Sequence, residues 1–483
     1  MALEAVIGLE CHIQLKTQTK MFCDCPSRFG AEANTQVCPV CLGLPGALPK
    51  VNDAAIGLAL RLGLALQCRI REDSVFARKN YFYPDMPKNY QVTQYDRPLC
   101  EGGALPAVIE GAERRFELTR IHCEEDAGKS FHPERHGDRS LSRLDFNRAG
   151  TPLLELVTEP VLRSPAECAA FLTSLRRLVR ALGISGGDME KGQLRCDANV
   201  SLRPAGQGAL GTKTEIKNLN SIKAVERGVA AEIVRQTRLL EGGEAVVQAT
   251  LLYDADHDRL AIMRTKEHAH DYRYLPDPDL PVLHVDPERI EAERAALPEL
   301  PWTREARLAT EYGLPPYDAG VLTETTEMTD YFEEAAKATT APKAASNLVM
   351  GEVNRKLKET GMSIGEYRLR VPPLSLAKIA TAIQGATVTA TAGKTILEQV
   401  FASGADPAAL FAQHAAVSSE AELTPFVRAV IGEHPGVVAQ LRAGEEKVFG
   451  FLVGQVMKKS GGKAAAKVVQ QLMREEIDKL GGA

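Results

Sequence analysis

Several features that would fix a location or a mechanism are missing. No run of about 18 apolar residues occurs, so no transmembrane helix is expected. The opening MALEAVIGLE has no basic segment ahead of an apolar run, so no signal peptide is expected and a reducing cytoplasm is the expected location. A surplus of positive charge is missing too: 58 Lys and Arg stand against 63 Asp and Glu, a formal net charge of -5. A protein that only coats nucleic acid is basic overall, so any RNA contact is confined to a local patch. There is no internal repeat and no low-complexity tract. Nucleotide-binding loops are also missing. Gly393-Lys394-Thr395 imitates the end of a phosphate loop, but the first glycine is replaced by Val388, so a turn between helices is the expected form. No Gly-x-Gly-x-x-Gly or Gly-x-Ser-x-Gly is present, so any nucleotide chemistry must rest on metal and dispersed basic groups.

What is present is ordinary globular material, 483 residues with 44% hydrophobic and 25% charged side chains, enough for about three domains. Up to about residue 290 short alternating runs are punctuated by Gly and Pro, as at Pro84–Pro87 and Pro276–Pro281, the texture of mixed sheet and helix. Ser221–Glu241 stands out as a helix, with Asn220 or Ser221 as N-cap and Gly242-Gly243 as the stop. Beyond 290, Ala, Glu, Leu, Arg and Lys dominate and breakers such as Pro298, Pro301 and Pro315-Pro316 divide helical segments. A second break falls near Gly404–Pro407, and another helical set begins beyond Ser418. The expected class is α+β: a mixed-sheet domain over 1–292, an all-helical domain over 293–407 and a small helical tail over 408–483.

Four motifs carry chemistry. In Ile7–Leu15, Gly8, Glu10, His12 and Gln14 share one face and Ile7, Leu9, Cys11, Ile13 and Leu15 the other. Glu10 and His12 on one side either hold a divalent cation or form a solvated strand face. Glu124-Glu125-Asp126 is either an exposed acidic turn or a group offset by a cation. Glu155 is isolated in the apolar run Leu153–Val157, where a dehydrated carboxylate needs a partner or a metal. Cys23-x-Cys25 and Cys38-x-x-Cys41 can close a tetrathiolate zinc site, structural because no coordination position stays open, although Cys-x-Cys is tighter than the common spacing.

Basic and polar strands around Arg78–Tyr81, Lys88–Gln91, Arg195–Leu202 and Lys213–Lys217 either line a phosphate- or carboxylate-binding cleft or face solvent. In the tail, Lys458, Lys459, Lys463 and Lys467 surround a glycine turn at the start of a helix, suited to a phosphate backbone or to plain solvation.

Together GLECHIQL, CPVCLGLPGALPKVN, RKNYFYPDMPKNYQ, HCEEDAGKS, DFNRAGTPLLELVTEP, GQLRCDANVSL, GTKTEIKNLNS, DYRYLPDPDLP and GFLVGQVMKKSGGKA resemble the B subunits of the aspartyl/glutamyl-tRNA(Asn/Gln) amidotransferases, in order from Gly8 to Ala464. The resemblance implies a cradle-like catalytic domain, a helical domain and a tail that contacts tRNA. It also implies an ATP-dependent carbon–nitrogen ligase acting on mischarged Glu-tRNA(Gln) or Asp-tRNA(Asn). Two partners are implied in a heterotrimer: an amidase, the A subunit, which releases ammonia from glutamine, and a small C subunit. By position in the family, His12, Glu125 and Glu155 match a magnesium site with Glu10 as strand neighbour. Lys79 and Lys88 match polar residues near the ammonia route, and the four cysteines match a zinc site that not every member has. FHPERHGDRSLSR looks like an embellished loop. The competing class is a tRNA-binding scaffold without chemistry, against which the carboxylate constellation argues.

Overall fold

The computed structural model describes residues 2–131, 142–265, 272–417 and 419–480; most of the FHPERHGDRSLSR segment, Asp271 and Ser418 lie outside them. Two compact units are formed, Met1–Trp302 and Thr303–Ala483.

The first unit is built on a ten-stranded mixed sheet. Leu3–Gln14 lies centrally, with Leu194–Pro204 antiparallel on one side and Pro152–Thr158 antiparallel on the other. Ala112–Glu125 continues the sheet beyond Pro152–Thr158. Thr214–Lys217 extends it beyond Leu194–Pro204, and pairs in parallel with Ala249–Asp254. Strand alternation decides the two faces. Ile7, Leu9, Cys11 and Ile13 are buried, and so are Cys196, Ala198 and Val200 next to them. Helices cover this apolar face. Pro165–Ala181 starts on the Ser164 cap with Pro165 in its first turn and buries Phe171, Leu172, Leu175, Leu178 and Val179 at helical spacing. Ile222–Glu241 starts at Ser221, whose side chain accepts from Ala224 N, and stops at Gly242. The opposite sheet face is left for polar groups.

A small three-stranded sheet, Leu275–Pro276, Phe76–Asn80 and Tyr90–Gln94, stands beside that polar face. The helix Pro287–Ala295 belongs to the first unit because Arg289 pairs with Asp53 and Glu293 with Arg61, each at 2.7 Å. The first unit extends to Trp302.

The second unit is helical. One core cluster includes Leu308, Tyr331, Phe332, Ile379 and Ile396; a second includes Leu423, Val427, Leu452, Val456, Leu472 and Met473. Gly393-Lys394-Thr395 lies inside the helix Ala390–Ser403, not in a turn, and Lys394 pairs with Glu352 at 2.9 Å. Gly393 is there because a Cβ would meet Ile383 Cδ1 at 2.5 Å. Among the described residues no helix is long and apolar enough to cross a membrane.

Candidate active site

Register carries four distant segments onto one line. His12 lies opposite Arg195 on one side and Glu155 on the other, and Glu155 lies opposite His122. One step along the strand, Glu10 lies opposite Asp197. All point away from the helices because they alternate with Cys11, Cys196, Cys123 and Leu154, which are buried. His12 Nδ1 lies 2.9 Å from Glu124 Oε1, and His12 Nε2 3.5 Å from Glu10 Oε1. His122 Nε2 stands 3.7 Å from Glu155.

Among the described residues, two sets of carboxylate and imidazole atoms lie within 4.8 Å of one another here: His12, Glu124 and Glu155, and Glu10, His12 and Asp197. The expected set is His12, Glu125 and Glu155, and the structure puts Glu125 elsewhere. Adjacent residues on a strand face opposite ways, so Glu124 joins His122 on the polar face and Glu125 turns from it. There Glu125 is buried, pairs with Lys88 and accepts from Val92 N at 2.9 Å. Gln91 connects the two glutamates, donating to Glu124 Oε2 at 3.1 Å and to the Glu125 carbonyl at 2.8 Å.

The charges here are tightly opposed. Burial pushes Glu155 up to about 8, and the neighbouring Glu124 and Glu10 carboxylates add to the shift. Burial also raises Glu10, but the His12 hydrogen bond and charge, with Lys217 and Lys79, outweigh it and hold the carboxyl at about 2. For Glu124, burial is likewise outweighed by His12, so its carboxyl is lowered. His12 is raised well above its ordinary value, because Glu10 and Glu124 overcome burial. Burial holds His122 down at about 4, a neutral imidazole. Two carboxylates and an imidazole fit a hard divalent cation that keeps part of its water shell. Such a cation would reverse the upward shift of Glu155 and stabilise all three ligands in their binding forms.

Basic side chains ring the cluster. Lys79 lies 4.9 Å over the Tyr272 ring; burial lowers its pKa, but Tyr274, Glu124 and Glu155 outweigh it and the ammonium is raised. Lys217 pairs with Asp197 and Glu215, and Arg195 pairs with Asp126 at 2.8 Å. Of the six residues expected to be catalytic, Glu10, His12, Glu155 and Lys79 meet here. Lys88 and the buried Glu125 form a separate pair reached through Gln91.

The cysteines form a second cluster. Cys23, Cys25, Cys38 and Cys41 place their sulfurs within 4.8 Å of one another. The segment is held by Lys20 N donating to Cys25 O at 3.0 Å and by Cys38 N donating to Cys41 Sγ at 3.1 Å. Cys41 is lowered to about 4, first by the hydrogen bond from Cys23, and Lys20 contributes. Lys20 is fully buried, with Nζ 3.6 Å from Cys41 Sγ. Four thiolates around Zn²⁺ leave a net charge of about minus two, which a buried ammonium partly offsets, so the donor set fits the metal.

Residues 5–291 match the GatB/GatE catalytic domain and residues 330–477 the GatB domain. The B subunit of the aspartyl/glutamyl-tRNA(Asn/Gln) amidotransferase of Carboxydothermus hydrogenoformans is 46% identical over 479 residues, 99% of each chain. That of Halorhodospira halophila is 48% identical over 479 residues, covering 98% of this chain and 99% of the relative. The chain belongs to the family of amidotransferase B subunits. It is one component of a carbon–nitrogen ligase.

In this GatB-type chain, sequence reasoning passes over His122; it reads Glu124 only as part of the Glu124-Glu125-Asp126 run and Asp197 only as part of a polar strand face, and assigns neither to the cluster. Counting alternate residues back from Glu124 pairs it with His122, but only the register against Glu155 and His12 shows that these face the cluster. The tail lysines sit around the Gly461-Gly462 turn between the helices Phe449–Lys459 and Ala466–Lys479. Lys458 and Lys467 are exposed, Lys463 is half-buried, and Lys459 pairs with Glu433.

Proposed function

We propose that the chain converts mischarged Glu-tRNA(Gln) or Asp-tRNA(Asn) to the amide form with ATP. It does so in a cytoplasmic heterotrimer with an amidase, the A subunit, and a small C subunit. A carboxylate is a poor electrophile whose oxygen leaves badly. A side-chain carboxylate oxygen attacks the γ-phosphorus of ATP, the bond to ADP breaks, and an acyl phosphate forms. Ammonia, released from glutamine on the amidase, adds to the acyl carbon. The C–O bond breaks, and phosphate leaves with the proton ammonia loses.

The observation that carries this reading is the meeting of His12, Glu124 and Glu155 within 4.8 Å in a chain of this family. These three would hold Mg²⁺, which supplies charge neutralisation for the transferring phosphoryl group. Glu10 and Asp197 keep His12 and Lys217 in place. Lys79, Lys217 and Arg195 present positive charge where phosphate oxygens would otherwise meet carboxylates. The pair of half-buried Lys88 and buried Glu125, set apart from the metal ligands, suits the path of a small polar molecule such as ammonia, with Lys79 where that path would end. Cys23, Cys25, Cys38 and Cys41 would hold a structural Zn²⁺. Lys458, Lys459, Lys463 and Lys467 would contact the tRNA backbone.

The test is tRNA-dependent ATP cleavage by the reconstituted complex. Cleavage that needs mischarged tRNA and is lost in Glu124→Gln supports the reading. A chain that binds tRNA equally well but never cleaves ATP is a scaffold, and the reading fails.

A further inference from the structure

The chain is poor in aromatic residues, 5% of the total, yet six of its eleven tyrosines fall in one small region: Tyr81, Tyr83, Tyr90, Tyr95, Tyr272 and Tyr274. All lie in or beside the three-stranded sheet next to the acid cluster. Tyr95 and Tyr274 are stacked almost parallel, ring centroids 4.0 Å apart and planes 6° off. Tyr272 meets Tyr274 edge-on at 6.2 Å, and Tyr81 stacks on Tyr83 at 4.8 Å.

Tyr90 packs against the main core, and Tyr81, Tyr272 and Tyr274 are half-buried, but the ends of the array are open. Tyr95 is 49% exposed, Tyr83 55% and the intervening Phe82 72%. Ring surface left in water is unfavourable unless something covers it. Lys79 ties the rings to the reacting centre, since its ammonium lies over Tyr272 and within the field of Glu124 and Glu155. Gln91, directly opposite Lys79 on the neighbouring strand, donates to Glu124.

We propose that this tyrosine array seats the single-stranded 3′ end of the substrate tRNA, its bases stacking on the exposed ring of Tyr95 and on Tyr83. The inference rests on the function proposed above and names how that substrate is held. Its logic is connectivity. The reacting carboxylate is esterified to the last nucleotide, so when it reaches His12, Glu124 and Glu155 the terminal base is within one nucleotide of Lys79. Unpaired RNA bases are recognised by stacking on aromatic side chains beside a cation. Two stacked pairs in one region serve several consecutive bases, whereas the single adenine of ATP needs one. A parallel ring pair presents a flat plate on which another planar ring continues the stack.

The experiment uses the intact complex and a tRNA with 2-aminopurine in place of its 3′-terminal adenine. Binding should quench the fluorophore, since stacking quenches it. Tyr95→Leu should relieve the quench and weaken binding roughly tenfold to a hundredfold. Tyr95→Phe should restore both. Removing the last three nucleotides of the tRNA should make wild type and Tyr95→Leu bind equally. The proposal is overturned if the quench persists in Tyr95→Leu, or if that variant loosens truncated tRNA as much as whole tRNA. It is overturned equally if the variant raises the KM for ATP with tRNA binding unchanged, which assigns the ring to ATP, or if it dissociates the complex, which assigns it to a protein contact. A wild-type complex that shows no tRNA-dependent ATP cleavage would sink the proposed function itself. An active wild type with an unaffected Tyr95→Leu would sink only the tyrosine array.

Discussion

Two clusters in the first unit are each suited to one divalent cation, and they are built in opposite ways. The cysteine cluster takes all its ligands from Cys23–Cys41, a single loop segment. The acid cluster takes His12, Glu124 and Glu155 from three strands of one sheet. Four soft thiolates close a tetrahedron and leave no position for a substrate. Two carboxylates and one imidazole leave most of a hard cation's coordination open to phosphate and water. The first arrangement stabilises a loop and the second permits chemistry. Local ligands make a staple, whereas ligands brought together by register make a site that exists only when the sheet has formed.

Breaking the acid cluster should have the largest effect. Glu124→Gln keeps size and hydrogen-bonding capacity but removes one charge. It should lower tRNA-dependent ATP cleavage and amide formation together by about a hundredfold to a thousandfold, read by phosphate release and by product amino-acyl analysis. Glutamine hydrolysis by the amidase should continue. A middle effect is expected at Glu125→Gln, which leaves the half-buried Lys88 without its counter-charge. The fold should lose about 1–3 kcal/mol by denaturant titration. In the surviving folded protein, ATP cleavage should outrun amide formation when ammonia comes from glutamine.

Cys23→Ser sharpens the comparison from the other side. It should release most of the zinc, measured by elemental analysis, and lower Tm. Turnover per folded molecule should change by less than about threefold, since no zinc position faces substrate. Wild-type protein washed with chelator should retain about one zinc per chain. The smallest effect is expected in the tail. Replacing Lys458, Lys459 and Lys463 with Ala should weaken tRNA binding and flatten its salt dependence by about one to three counterions. Turnover at saturating tRNA should be preserved.

The same contrast explains what is legible without the structure. The cysteine site is legible because its ligands are close in sequence and their spacing is itself the signal. The strand is legible over Ile7–Gln14 though not in its first residues from Leu3, and the helix capped by Ser221 and the helical second unit are legible from periodicity and caps. Glu10 and His12 are placed on one face by alternation alone. Glu124 is not, because choosing between two adjacent glutamates requires knowing which face of Ala112–Glu125 meets His12, and that follows from pairing with Pro152–Thr158. His122 is hidden for the same reason, and the meeting of Asp197 with Glu10 likewise follows only from strand pairing. The Gly393-Lys394-Thr395 segment reads as a turn, because glycine suggests a break, when close packing against Ile383 accounts for it.

The central claim is that Glu124, not Glu125, completes the metal site with His12 and Glu155. It is tested most directly by measuring ATP cleavage, amide formation and glutamine hydrolysis on Glu124→Gln and Glu125→Gln in parallel, each corrected for folded fraction. The account predicts that Glu124→Gln abolishes ATP cleavage at any magnesium concentration near that used for wild type, while Glu125→Gln retains it. ATP cleavage lost in Glu125→Gln and kept near the normal rate in Glu124→Gln would contradict it.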